Sequence, residues 1–299
     1  MSQRILLTGA RGFVGGNVIA QSDPTCTIHA LSRESASVRR SNLHWHTAEL
    51  TDAGQLARLF KEARPDAVIH TAAMANIDEC EAQPGLADRI NVGVTQTLAN
   101  LCAEHGTRLV FCSTDTVFDG EHAPYAEDAG PLPVNHYART KAAAEKIVAA
   151  LGSNGVIARL SLVMGLSVFG RGNSFLAGLI ASLRAGREVS VPENEIRTPV
   201  DVITLARCLH ELAAGDFPGV WHLAGNDSFN RFEMSRRIAR QLGLPAEKIL
   251  ATDSSLLKDR APRPRDVSLS NQRARIELTT PMQDLASGLA LAMAGQPQA

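Results

Sequence analysis

A doubly wound α/β fold, with a mostly parallel sheet covered by helices on both faces, is what this sequence predicts, and three observations carry that expectation. Short apolar, β-branched runs alternate with longer segments of helical period through the first half. A glycine loop, Thr8-Gly9-Ala10-Arg11-Gly12-Phe13-Val14-Gly15, stands where the first such run meets the first helical segment. Hydrophobic residues make up 44% of the chain and charged residues 20%, enough apolar material to bury a large sheet.

In order, the strands are expected at RILLTG (4–9), TIHALS (27–32), LHWHTAEL (43–50), AVIHTA (67–72), RLVFCST (108–114) and VIARLS (156–161). Helices are expected from Gly12, from Thr51 or Asp52, from about Pro84 to His105 and from Asn135 to Leu151. After residue 161 the rhythm loosens: a helix over 173–186, a short strand over 189–192, a helix over 201–215, a returning strand over 219–225 and a helix over 231–244. A proline-broken loop (261–269) and a last helix near 282–294 complete the chain. The expected division is a dinucleotide-binding domain of residues 1–160 with 195–225, and a smaller substrate-binding lobe of 161–194 with 226–299 that forms the far wall of a cleft.

The formal net charge is -1, from 30 basic and 31 acidic residues, so no general field draws the chain to nucleic acid or an anionic membrane. Any anion binding must be local. The 5 cysteines (Cys26, Cys80, Cys102, Cys112 and Cys208) include no C-x-x-C pair and read as buried thiols of a reducing compartment. The N-terminus enters ILLTGA too soon for a signal peptide, and no run approaches the ~20 apolar residues of a membrane span. A cytoplasmic protein acting on a small molecule is expected.

Gly9, Gly12 and Gly15 are spaced G-x-x-G-x-x-G at a strand-to-helix junction. There glycine permits a tight turn and close approach of the backbone to a pyrophosphate, which rests on the helix N-terminus. The second strand ends Leu31-Ser32-Arg33, without the acidic residue that would favour NAD; Arg33 and Arg11 could meet a 2'-phosphate, so NADP is expected, with NAD as the alternative. Glu34 offers Arg33 a competing ion pair. Asp52 is a candidate for the adenine amino group or, equally, an N-cap.

The fifth strand ends Ser113-Thr114-Asp115, and the next helix carries Tyr137 and Lys141 four residues apart, on one face. A hydroxyl, a phenol and an ammonium beside a nicotinamide suffice to move a proton while a hydride moves. A charge about 5 Å away at an effective dielectric near 20 contributes ~3 kcal/mol, enough to lower a phenol by roughly two pH units. Lys141 is therefore expected to bring Tyr137 toward the range useful for acid-base work. The plainer alternatives are an i,i+4 pair of Lys141 with Glu145 and a half-buried aromatic at Tyr137.

Together with these features, AAMANIDECE (72–81), RINVGVTQTLA (89–99), STDTVFDG (113–120), PVNHYARTK (133–141) and RPRDVSL (263–269) give a chain that resembles the extended short-chain dehydrogenases/reductases. Within that superfamily it most resembles the dTDP-4-dehydrorhamnose reductase group. The resemblance implies Thr114, Tyr137 and Lys141 as the catalytic group. It implies Gly9, Gly12, Gly15, Ala72 and Ala73 at the cofactor, with Asn91 in support; Arg11, Phe13, Val14, Arg33, Leu50 and Asp52 are expected there beside them. The implied activity is reduction of a keto group on a nucleotide-activated sugar; another carbonyl reductase, an epimerase, or a non-catalytic NADP-binding regulatory subunit are the alternatives. A homodimer is compatible with the resemblance.

Dehydratases of the superfamily follow the strand-end Thr with Asp-Glu, whereas Asp115 is followed here by Thr116, and Val117-Phe118-Asp119-Gly120 is the reductase-like form. The chain departs from the reductase pattern in having Thr116 for a Tyr and Arg159-Leu160-Ser161-Leu162-Val163-Met164-Gly165 for R-T-S-W-V-Y-G. Asp115 and Arg197 are expected at the substrate, Arg197 either holding a phosphate or pairing with Glu193 or Glu195. His44 and His46 share one strand face without a visible third metal ligand, so no metal is expected. His70 reads as a buried, hydrogen-bonded histidine, and Arg236, Arg237 and Arg240 as a solvated helix face.

Overall fold

The computed structural model describes residues 3–34, 38, 40–169, 174–256 and 260–294. In chain order its elements are β1 (Arg4–Thr8), α1 (Phe13–Ala20), β2 (Thr27–Ser32), β3 (Leu43–Thr47), α2 (Ala53–Ala63), β4 (Ala67–His70), α3 (Ile77–Ala82) and α4 (Pro84–Ala87). A π-helical turn (Asp88–Gly93) carries α4 into α5 (Val94–His105), followed by β5 (Arg108–Thr114), a 3-10 turn (Asp115–Val117), α6 (His136–Ala149) and β6 (Gly155–Leu160). The remainder comprises β7 (Val163–Met164), α7 (Phe175–Arg184), β8 (Val189–Pro192), β9 (Ile196–Arg197), β10 (Val200–Asp201), α8 (Val202–Ala214) and β11 (Gly219–Leu223). Last come β12 (Phe229–Asn230), α9 (Arg231–Gln241), β13 (Ile249–Thr252), α10 (Gln272–Glu277) and α11 (Leu285–Ala294).

Seven strands form one sheet in the order β11-β6-β5-β4-β1-β2-β3, every neighbouring pair parallel. The chain winds outward from β1 through β2 to β3, then returns to lay β4 on the other side of β1. That reversal opens a crevice beyond the carboxyl ends of β1 and β4, where ligands of such sheets bind. Strand alternation divides the core. Ile5 and Leu7 pack with Val18 of α1 and Leu205 and Leu209 of α8 on one face, while Leu6 packs with Leu56, Phe60 and Leu98 on the other.

A third cluster belongs to the second half: Leu176, Leu179 and Leu183 of α7, Met234 and Ile238 of α9, Ile249 of β13 and Leu289 of α11. β8 pairs with β13 and β9 with β12, in two small ladders away from the main sheet. β13, α3 and α10 were not expected from the sequence. Each is only 4 or 6 residues long, too short for a periodic pattern to register. The third strand stops at Thr47, three residues before the expected Leu50, because Glu49 to Asp52 turn into the cap of α2. The five cysteines are all free and buried. Among the described residues no helix is long and apolar enough to cross a membrane.

Candidate active site

The glycine loop is built as its spacing requires. Gly9 has φ +67, and a Cβ there would stand 2.7 Å from Thr71 Oγ1; a Cβ on Gly15 would stand 2.3 Å from the Gly9 carbonyl oxygen. Gly12 donates its N–H to the Gly9 carbonyl at 2.8 Å and is the N-cap of α1, which has neither a side-chain cap nor an acidic residue in its first turn. Among the described residues no side chain caps its leading N–H groups. Phe13 and Val14 of that turn line a cleft of about 500 Å3, together with Thr71 and Ala73. Ala72 lies between these two, its N–H directed to Thr8 Oγ1 at 3.3 Å.

Farther out, Arg33 is exposed at the end of β2. Glu34 pairs with Arg11, at 2.5 Å, and not with Arg33 as the sequence had suggested, because the glycine loop brings Arg11 across to the β2 terminus. Asp52 caps α2: its two oxygens accept from the N–H and side-chain amide of Gln55 at 3.0 and 2.8 Å, which holds the carboxyl below its usual range. Leu50 is half-buried against the core beneath α2.

The reactive groups gather on the same cleft. Thr114, at the end of β5, exchanges a hydrogen bond with Thr116 at 3.0 Å and donates to Asp115 at 3.2 Å. Asn135 caps α6 by accepting from Ala138 N at 2.9 Å, and that cap starts the helix so that Tyr137 and Lys141 both line the cleft beside Thr114. Asn91, in the π turn, accepts from Met74 N at 2.8 Å and donates to Thr140 at 3.0 Å, tying the loop after β4 to α6. His70 is buried with Thr8 at 2.7 Å and Thr95 at 3.1 Å on its two ring nitrogens.

Two expectations about Lys141 are corrected. It does not pair with Glu145, whose carboxylate is taken by Arg159 at 2.9 Å; its ammonium instead lies 4.0 Å over the Phe111 ring. The phenol of Tyr137 is raised, not lowered. Burial drives it up, the Asp115 charge adds to this, and a hydrogen bond with Thr114 only partly opposes it. Burial likewise brings Lys141 down to about 8, against smaller contributions from Cys112, Glu145 and Cys80. The sequence argument treated the pair as charges in a partly wet medium; in the folded chain loss of water outweighs their attraction.

The same cleft is lined by a guanidinium cluster. Arg197 is buried, bonded to the carbonyls of Ile196, Pro264 and Arg265, 3.7 Å from Glu195 and 4.0 Å from Asp115. Of the two pairings foreseen, Glu195 is the one formed. Burial pushes the Glu195 carboxyl up, but Arg197, Arg260 and Arg231 together outweigh it and hold the carboxyl below its usual range. Arg260 pairs with it at 2.7 Å and Arg231 at 3.4 Å. Burial raises the Asp115 carboxyl against the pull of Arg197. Arg263 grips Asp78 at 2.6 Å and lines the cleft as well. Arg231, Arg260 and Arg263 were missed from sequence; a loop carrying guanidiniums at 260, 263 and 265 was the available signal.

Outside the cleft, His29 of β2 stacks between His44 and His46, with ring centroids 5.2 Å apart in both pairs. Among the described residues no group of three or more His, Cys, Asp or Glu side chains is arranged to hold a metal. On α9, Arg237 forms an i,i+4 pair with Glu233 at 2.6 Å and Arg236 lies over Phe232.

The model of the RmlD substrate binding domain matches residues 3–296. The chain belongs to that family. As a member of the RmlD family it is 30% identical to the dTDP-4-dehydrorhamnose reductase of Mycobacterium tuberculosis, over 98% of this chain and 93% of the relative. It is 28% identical to the methionine adenosyltransferase 2 subunit beta of Rattus norvegicus, over 90% of this chain and 80% of that one. The crystal structure of the dTDP-4-dehydrorhamnose reductase from Bacillus anthracis, in complex with NADP, superposes with a TM-score of 0.87 at 25% identity, covering 98% of this chain and 99% of that one. The expected resemblance, to the dTDP-4-dehydrorhamnose reductase group of the extended short-chain type, is thereby borne out for this RmlD member.

Proposed function

We propose that the protein is an NADP(H)-dependent reductase of a keto group on a nucleotide-activated sugar. The observation that carries this reading is the convergence of Thr114, Tyr137 and Lys141 with the uncapped start of α1 on one cleft, faced by the guanidiniums of Arg197, Arg231, Arg260 and Arg263. The site suits the cofactor: glycines fill the positions where any Cβ would collide, and the start of α1, without a side-chain cap among the described residues, fits a pyrophosphate. When bound, NADPH supplies the hydride.

The chain's own residues handle the rest. Thr114 orients the carbonyl oxygen and Tyr137 gives it a proton; burial, which keeps the phenol protonated, suits a general acid. Lys141 holds the ribose of the nicotinamide. The arginines bind the diphosphate of the sugar nucleotide, with Arg197 and Asp115 at the substrate. Arg11 and Arg33 meet the 2'-phosphate, and Leu50 and Asp52 flank the adenine. In this reading residues 1–160 with 195–225 carry the cofactor and 161–194 with 226–299 the substrate.

The test is NADPH oxidation with a panel of 4-keto sugar nucleotides, using wild type and Tyr137→Phe. Wild-type turnover that the variant loses, with NADPH affinity kept, supports the reductase; full activity in the variant removes Tyr137 from the chemistry. The likeness to the rat subunit beta supports a second reading, an NADP-binding partner subunit. Tight NADPH binding with no turnover across the panel would favour it.

A further inference from the structure

Ser113, Glu145 and Arg159 form a buried chain directly behind Tyr137 and Lys141. Glu145 sits on α6 one turn beyond Lys141. Its carboxylate accepts from Ser113 Oγ of β5 at 2.5 Å, from Arg159 Nη2 of β6 at 2.9 Å and from Arg159 Nε at 3.1 and 3.3 Å. Glu145 is 4% exposed and Arg159 is 3% exposed. Arg159 is completed by the carbonyls of Glu127 at 3.4 Å and Ala129 at 3.2 Å, by His222 Nε2 at 3.4 Å and by the Phe118 ring.

An ion pair so deeply buried rarely stabilises more than well-packed apolar residues of the same size would. Its geometry points to another use. Glu145 is bonded to two neighbouring strands at once, so α6 can neither roll nor slide on the sheet without breaking a charged contact. Among the described residues, Cys112 of β5, Cys80 of α3, His70 of β4 and Glu145 act electrostatically with the Lys141 ammonium. The thiols are pushed up to about 12 and about 11 and His70 down to about 3, so all three are neutral at physiological pH. Glu145 is the one formal negative charge among them.

We propose that Glu145 is a positioning residue: clamped by Arg159 and Ser113, it fixes the roll of α6 so that Tyr137 and Lys141 face the cleft, and it sets a negative charge behind the Lys141 ammonium. This rests on the reading of Lys141 as the group that holds the cofactor ribose.

The experiment compares wild type, Glu145→Gln, Glu145→Asp and the double variant Glu145→Gln/Arg159→Met. Thermal midpoint and NADPH affinity are measured from about pH 6.5 to about pH 9.5, a span bracketing a depressed lysine. Wild-type affinity falls above about pH 8, as Lys141 loses its proton. In Glu145→Gln the fall begins about one pH unit lower, and the midpoint drops because Arg159 is left buried without a partner. The double variant recovers most of the midpoint but keeps the displaced affinity profile, and Glu145→Asp keeps the wild-type profile.

If the single and double variants follow the wild-type profile and only the midpoints move, Glu145 is merely structural and the proposal is overturned. A wild-type profile flat through pH 8 overturns the anchoring role of Lys141 and this inference together. Neither outcome depends on whether any sugar nucleotide is turned over.

Discussion

Glu145 stands one helical turn from Lys141, yet its carboxylate bonds Arg159 on the neighbouring strand at 2.9 Å and leaves the lysine to the Phe111 ring. Lys141 itself lines the cleft beside Tyr137 and Thr114. An i,i+4 pair on an open helix surface would have tied it to α6 for only a few tenths of a kcal/mol.

Arg11 is paired with Glu34, so in the proposed reading the 2'-phosphate is left chiefly to Arg33. Arg33→Ala is expected to weaken NADPH far more than NADH, since its guanidinium is exposed at the end of β2 whereas that of Arg11 is paired with Glu34. Glu34→Gln, by freeing Arg11, is expected to tighten NADPH by roughly threefold, the scale of an exposed pair. Fluorescence titration with both nucleotides reads the ratio, and equal losses for the two cofactors in Arg33→Ala would reject the 2'-phosphate assignment.

Glu195 is the buried counter-charge of Arg197, Arg231 and Arg260. Glu195→Gln leaves three guanidiniums without it and is expected to cost about 3 kcal/mol in chemical denaturation. Added inorganic phosphate should recover part of that loss in the variant and do little for wild type. Insensitivity of the variant to phosphate would speak against an anion site in this cleft.

The close approach of Gly15 to the Gly9 carbonyl leaves no room for a methyl group. Gly15→Ala is expected to push α1 away from the loop, destabilising the fold by roughly 1–3 kcal/mol and sharply weakening NADPH. Calorimetry and a binding titration on one preparation check both effects; undiminished affinity would show that the loop does not hold the pyrophosphate.

His70 and His222 are each brought down to about 3, His70 by burial and then by Lys141, His222 by burial and then by Arg159. Both bind fewer protons folded than unfolded. Their contribution is fully present above the unfolded value near 6.5 and is lost as pH falls from there toward 3. Thermal midpoints should therefore decline steadily from about pH 6.5 to about pH 4.5, and His70→Gln should make the decline shallower. An unchanged slope in that variant would remove His70 from the acid sensitivity.

By itself the sequence determined the sheet, the glycine loop, the family, and the residues that end β5 and open α6. All of these are written in local periodicity, turn chemistry and spacings of a few residues, which the chain carries wherever it folds. Asn135 before HYARTK, for instance, announces the start of a helix that the structure then caps with it. What Tyr137 and Lys141 became was decided only by tertiary packing. Burial reversed the expected shift of the phenol, Arg159 from β6 took Glu145 away from the lysine, and Arg260 and Arg263 arrived from a loop more than 100 residues beyond α6. Desolvation and charge pairing depend on which distant groups exclude water from one another, and no local pattern encodes that.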